Sequence, residues 1–322
     1  MLGEGEPVAT ERDALRLAIE ERPRASLAVR TILRLVGLLD VEQHVARFLP
    51  ERWVERLGRV YRPAAYHAPM MFNVAAEAYD SFMGRYSRVL AAPFAAFAGV
   101  QAGQRLLDVG CGPGALTAEL VARVGAECVA AVDPSAPFVA AATARHPGVD
   151  VRQAPAEDLP FAADAFDGAL AQLVVHFMTD PVAGLAEMGR VTRVGGTVAA
   201  CVWDHAGGRG PLGPFWATAR ELAPGIDDES HLPGAREGHL ADLLTAAGLG
   251  DVESTVLDAS LEHATFDDWW EPFTRGVGPA GAYVARLDAE GQAALREACR
   301  HRFGDGPFVV EARAWAARGV SR

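Results

Sequence analysis

Between residues 100 and 205, short apolar runs alternate with amphipathic stretches. The runs at 104–109, 128–132, 149–153, 166–171 and 196–202 predict strands, and the stretches opening near Ala115, Ser135, Pro181 and Pro211 predict helices. This alternation is the pattern of a mainly parallel sheet covered on both faces. Further on the regularity weakens. Gly- and Pro-rich connections at 207–214 and 232–238 are followed by a strand at 252–257, a helical region at 266–303 broken at Pro272 and at 276–281, and a last strand at 308–314. At the other end, residues 10–60 predict three or four helices. Pro23 breaks the first, and the second, over 25–39, carries Leu27, Ile32, Leu35, Val36 and Leu39 at helical spacing. Such a helix packs on its own domain or on a second subunit, with a membrane or partner helix as the alternative. Pro63 and Pro69 mark a linker into a helix over 73–83, so the expected division is a helical extension at 1–72 and an α/β domain at 73–322.

Composition narrows the functional classes. Half of the 322 residues are hydrophobic and 22% are charged, enough apolar content for a sizeable core. The formal charge is −12, but residues 1–70 hold eleven Arg and ten Asp or Glu, which leaves −13 on residues 71–322. Nucleic acid is a poor partner for such a body, because phosphate binding needs a basic face that releases counterions. A neutral or cationic small molecule suits it better. Not one Lys occurs, which removes a Walker A phosphate loop, a Schiff-base lysine and lysine base catalysis together. Cys111, Cys128, Cys201 and Cys299 form no CxxC pair, and no His/Asp/Glu cluster has metal-ligand spacing, so no metal is expected. An acidic N-terminus and the lack of any run of ~20 apolar residues give the expectation of a cytoplasmic protein with no membrane partner.

The clearest chemistry lies at 106–114, where an apolar strand, Leu-Leu-Asp-Val, runs into Gly-Cys-Gly-Pro-Gly and then directly into a helix. Gly110 and Gly112 let the backbone take positive φ and approach a ligand with no Cβ in the way. The helix that follows presents free N–H groups and its positive dipole end. Asp133, at the end of the next strand, sits where a carboxylate accepts hydrogen bonds from a ribose diol. These residues describe a nucleoside site. Gly110, Gly112 and Ala115 also satisfy the dinucleotide fingerprint, so on this turn alone a nicotinamide-dependent oxidoreductase stays open, with Pro113 counting against it.

The wider set is Leu-Leu-Asp-Val-Gly-Cys-Gly-Pro-Gly at 106–114, Ala-Val-Asp-Pro-Ser at 131–135, Ala-Pro-Ala-Glu-Asp-Leu-Pro-Phe at 154–161 and Phe166-Asp167. In this order and spacing it resembles class I S-adenosylmethionine-dependent methyltransferases of the small-molecule type, over about residues 73–320. The resemblance implies a Rossmann-like, seven-stranded, mainly parallel sheet with helices on both faces and a helical lid at about 204–240 and 258–306. It further implies S-adenosylmethionine as cofactor, S-adenosylhomocysteine as product, and methyl transfer to an O, N or C atom of a small molecule, as in specialised metabolism. At matching positions Asp108 and Gly110 hold the methionine amino end, Gly112 lies in the same turn, Asp133 takes the ribose hydroxyls, Ala156 and Glu157 the adenine edge, and Gln172 lies beside the methionine portion. Pro155 departs from the usual Asp or Asn and offers no side-chain hydrogen bond. The segment 79–88 resembles the helix that covers the cofactor, with Tyr79 and Phe82 as walls of the transfer pocket and Arg88, or Arg85, as partner of the methionine carboxylate.

In an open α/β sheet ligands sit beyond the carboxyl ends of the strands. The acceptor is therefore expected to meet Gln172, His176 and Phe177 after the fourth strand and Trp203, Asp204 and His205 after the fifth. His176 and His205 are the candidate general bases for an acceptor that must lose a proton. Trp269, Trp270 and Phe273 form a ceiling over the acceptor or anchor the lid as core. Two further readings stand beside methyl transfer: a non-methylating relative that keeps the cofactor site for a cyclisation or rearrangement, and an interaction role centred on residues 1–70. A homodimer through the N-terminal helices is the expected assembly.

Overall fold

The strands β1 (Leu106–Val109), β2 (Val129–Asp133) and β4 (Phe166–Gln172) are almost continuously buried, as expected of central parallel strands covered on both faces. In the computed structural model, which describes residues 76–322, they lie in a seven-stranded sheet of order β3-β2-β1-β4-β5-β7-β6. The other strands are β3 (Asp150–Gln153), β5 (Thr192–Trp203), β6 (Gly250–His263) and β7 (Phe308–Val320). β1 to β5 pair in parallel, and β7 is inserted antiparallel between β5 and β6. The mainly parallel sheet read from the alternation, Rossmann-like and seven-stranded as the resemblance implied, is the one present. The expectations for the N-terminal helices and for a dimer through them lie outside the described residues.

Side chains alternate across the sheet with period two, so neighbours in one strand enter different cores. Leu106 and Leu170 pack with Leu90 and Phe94 of α2 (Met83–Phe97) and with Leu116 and Leu120 of α3 (Ala115–Val124). Leu107, Val109 and Ala171 face the other way, onto Leu185 and Met188 of α5 (Pro181–Val191) and Leu240 and Leu244 of α7 (His239–Ala246). The preceding helices are α1 (Ala76–Asp80), α4 (Ala136–Arg145) and α6 (Gly213–Leu222). Helix starts follow their local chemistry: Asp180 accepts from the Ala183 N–H and Pro181 opens α5, a capped start with no wasted donor.

Three boundaries differ from the reading of the sequence. The helix expected over 73–83 is interrupted at Ser81 and Phe82, and α2 then runs on to Phe97 through Pro93. β6 and β7 are much longer than the expected 252–257 and 308–314, because they pair with each other along almost their whole length, from Gly250↔Val320 to His263↔Phe308. The expected break at 276–281 is confined to Gly276 and Val277. α9 (Gly278–Arg286) starts at once and includes Gly281, where an added Cβ would lie 2.7 Å from the Gly276 carbonyl carbon.

Between β6 and β7 come α8 (Phe266–Trp270), a 3-10 turn over Glu271–Arg275, α9 and α10 (Ala289–Phe303). Trp269, Trp270 and Phe273 are buried there; Phe273 stacks on Phe215 of α6 with ring centroids 4.6 Å apart and packs edge-on against Phe82. A polar chain ties this region to α2. The Tyr86 hydroxyl lies 2.8 Å from His263 Nε2, His263 Nδ1 lies 3.1 Å from Asp268, and Asp268 accepts two hydrogen bonds from Arg85.

Candidate active site

At the carboxyl end of β1, the Gly110 and Cys111 N–H groups both donate to the Val132 carbonyl, which folds the glycine turn back over β2. Gly110 has φ +70°, and a Cβ there would come within 2.4 Å of Val174. Gly112 has φ +53°, and a Cβ there would enter open space. The first glycine is demanded by packing, the second by an open cradle. Asp133 closes the turn from the other side: its Oδ2 accepts from the Gly112 N–H and its Oδ1 from the Ser135 N–H, each at 2.8 Å. Burial raises the Asp133 carboxyl to about 6, against the pull of those two hydrogen bonds.

These groups open onto a cavity with about 850 Å³ of empty space. Tyr79, Gly110, Gly112, Asp133, Ala156, Glu157 and Gln172, all named from the sequence, line it together. Gln172 donates through Nε2 to the Ser87 carbonyl at 3.0 Å, and its buried Oε1 has no partner among the described residues. Glu157 lines the cavity too, but its Oε1 accepts from the Thr179 and Asp180 N–H groups, so the carboxylate holds the turn into α5. Pro155 lies in the same wall.

Two expected cofactor residues are placed differently. Asp108 does not line the cavity; it is buried beneath the turn, where its Oδ2 accepts a 2.6 Å hydrogen bond from Thr117 of α3, and burial raises it to about 7. Arg88 lies outside the cavity as well. It is half exposed and faces Asp80 at 3.7 Å, because its position on α2 lies over the preceding turn of chain. Arg85 is taken by Asp268. Among the described residues no Arg lines the cavity.

A second cavity of about 450 Å³ adjoins the first and shares Tyr79, Leu173 and Phe177 with it. Leu173 follows β4 with φ +62°, a costly conformation for a branched side chain, of the kind that clusters at ligand clamps. His176 and His205 both line this inner cavity, their ring centroids 5.6 Å apart. His176 Nδ1, His205 Nε2 and the Trp203 indole N–H are buried without hydrogen-bond partners among the described residues. Burial, and then the neighbouring His205, hold His176 well below the ordinary histidine range. It is neutral at pH 7, with the lone pair that a base needs. Asp204 does not line the cavity; it accepts from the Gly207 N–H and pairs with Arg209, ordering the turn that carries His205. Trp269, Trp270 and Phe273 are core and no ceiling.

Sequence reasoning missed Leu173 and Glu229. Glu229 lines the inner cavity, yet it sits in the run Asp227-Asp228-Glu229-Ser230, which reads as a solvated turn. Among the described residues no helix is long and apolar enough to cross a membrane, and no group of three or more His, Cys, Asp or Glu is placed to hold a metal ion.

The outer cavity fits an S-adenosyl nucleoside by its own chemistry: an open glycine cradle, a carboxylate at the end of β2 and an unpartnered amide oxygen on Gln172. Residues 107–200 match the family described as "Methyltransferase domain". An uncharacterised protein of Mycobacterium tuberculosis is 30% identical over 233 residues, covering 68% of this chain and 83% of its own. A malonyl-[acyl-carrier protein] O-methyltransferase of Erwinia billingiae is 34% identical over 127 residues, 39% of this chain and 49% of its own. Among solved structures, the [4+2]-cyclase SpnF shares the fold with a TM-score of 0.50 and 19% identity, covering 80% of this chain and 97% of that one. The chain belongs to the class I S-adenosylmethionine-dependent methyltransferases.

Proposed function

We propose that the chain moves the methyl group of S-adenosylmethionine to an O, N or C atom of a small molecule seated in the inner cavity. The observation that carries this reading is the common wall: Tyr79, Leu173 and Phe177 line both cavities, so a molecule in one abuts a molecule in the other.

When bound, the cofactor supplies a sulfonium methyl open to in-line displacement. The chain's own contribution is alignment and exclusion of water. Asp133 would accept from the ribose hydroxyls, and the Gln172 amide oxygen, unpartnered among the described residues, would accept from the methionine ammonium. Asp108 acts from beneath, holding α3 through Thr117 and with it the glycine turn. Leu173 and Phe177 exclude water at the junction. Where the acceptor must lose a proton, the neutral His176 takes it through Nδ1; His205 is the alternative.

The test is incubation of the protein with S-adenosylmethionine and a fractionated small-molecule extract, followed by mass spectrometry. Stoichiometric S-adenosylhomocysteine and a product heavier by one methyl group are expected. Conversion of a substrate with no S-adenosylhomocysteine formed would replace methyl transfer with a cyclisation or rearrangement.

A further inference from the structure

Among the described residues that line the inner cavity, one side chain is acidic. Glu229 opens a 3-10 turn, Glu229–His231, capped by Asp228, and it is only 2% exposed. Its Oε2 accepts a 2.8 Å hydrogen bond from the Trp216 indole N–H, and its Oε1 takes none among the described residues. Among the described residues no Arg forms an ion pair with it. Arg220 of α6, which lines a small adjoining pocket with Glu229, is paired with Asp228, and none of the described residues lining the inner cavity is an Arg. A buried carboxylate without a counter-ion is costly, and a charged partner arriving with a ligand removes that cost. The remaining walls favour the same sign. Tyr79, Phe82, Phe177 and Trp203 bring aromatic rings to the cavity, and aromatic faces attract cations.

We propose that the acceptor is a small amine, entering as its ammonium ion and held by the Glu229 carboxylate within the aromatic walls. This inference rests on reading the inner cavity as the acceptor site, and it adds the substrate class. The same arrangement disfavours acceptors whose buried end is a carboxylate or phosphate, since two like charges would share a buried pocket that no described Arg lines.

The experiment uses the full chain at pH 7.5 and three probes of one shape: phenethylamine, phenethyl alcohol and phenylacetate. S-adenosylhomocysteine binding is first measured by calorimetry, and each probe is then titrated at saturating S-adenosylhomocysteine. The amine is expected to bind at least tenfold more tightly than the alcohol, with phenylacetate weakest. Glu229→Gln, which keeps an acceptor for the Trp216 indole, is expected to bring the amine down to the alcohol's affinity while leaving the alcohol and S-adenosylhomocysteine unchanged. Equal binding of amine and alcohol by the wild type, a preference for phenylacetate, an amine preference that survives Glu229→Gln, or binding of S-adenosylhomocysteine with no binding of any probe would each overturn the proposal. The comparison within the wild type stands even if the variant fails to fold. Failure to bind S-adenosylhomocysteine at all would instead bring down the reading of the outer cavity, and this inference with it.

Discussion

The two cavities are built by different means. The outer one is made by turns at the ends of β1 to β4, and much of it is backbone: two glycines, the N–H groups that Asp133 gathers, and the Pro155–Ala156 turn. The inner one is a collection of side chains from distant segments: Phe82 before α2, His176 after β4, Trp203 and His205 at β5, Glu229 beyond α6, and Val277 between β6 and β7. A ligand gripped by strand ends can be specified in short runs of sequence. One gripped by scattered side chains can be changed a residue at a time without touching the sheet.

The largest expected effect tests the inner cavity's chemistry. His176→Gln should lower turnover by roughly 10²–10⁴-fold, the range for a lost general base, and leave S-adenosylhomocysteine affinity unchanged. Because His176 titrates well below its ordinary range, wild-type turnover at saturation should show no loss from this group between pH 8 and 6.5. Turnover within a few-fold of wild type in His176→Gln, His205→Gln and the double variant would mean that alignment alone drives the reaction.

The outer cavity is tested by a matched pair of glycines. Gly110→Ala combines left-handed strain with a clash against Val174 and should destabilise the fold by roughly 2–5 kcal/mol. Gly112→Ala carries only the strain, roughly 1–2 kcal/mol, but puts a methyl group into the open cradle. Thermal melting should rank Gly110→Ala well below Gly112→Ala, while calorimetry should find S-adenosylhomocysteine affinity reduced in Gly112→Ala. Equal melting temperatures would refute the packing argument.

Asp133→Ala should weaken S-adenosylmethionine binding by about 1.5–3 kcal/mol, the range for hydrogen bonds to a charged group. The pH dependence carries its own sign. Burial raises Asp133 to about 6, so the ionised acceptor is lost as the pH falls through that value, and affinity should drop between pH 7 and 5 in the wild type. Stability moves the other way. Groups with raised folded-state values, Asp108 and Asp133, bind protons more readily in the fold than in the unfolded chain, so their contribution improves as pH falls from about 7 towards 4. A flat affinity profile over this range would remove Asp133 from the binding event.

Removing residues 1–60 should change S-adenosylhomocysteine affinity least, because the recognised cofactor motifs all lie after Asn73 and, among the described residues, those lining the outer cavity begin at Tyr79. A folded truncation that no longer binds it would extend the outer site into the N-terminal segment.

The same difference explains what could be read from the chain. The apolar run at 106–109, the glycines at 110 and 112 and the acid at 133 are local signals with a physical reason for each, and the two glycines and the acid meet at one cavity. Arg88 is placed away from the cavity because its side chain turns to Asp80, eight residues earlier across the break at Ser81 and Phe82. Glu229 could not be found, because an acid among acids carries no mark of burial. What buries it, the Trp216 indole and the packing of α6, depends on the tertiary fold. The length of β6 and β7 was hidden too, since each is stabilised by its partner more than by its own alternation, as the exposed and charged positions along both strands show.

Tyr79, Leu173 and Phe177, which face both cavities, make the two occupants thermodynamically dependent on each other. Any factor by which one occupant tightens or loosens the other's hold acts equally in reverse. An acceptor analogue that fits well against those three side chains should therefore trap S-adenosylhomocysteine in the neighbouring cavity, and S-adenosylhomocysteine should retain the analogue by the same factor, so that inhibition of this protein by its own by-product would deepen as the acceptor fit improves.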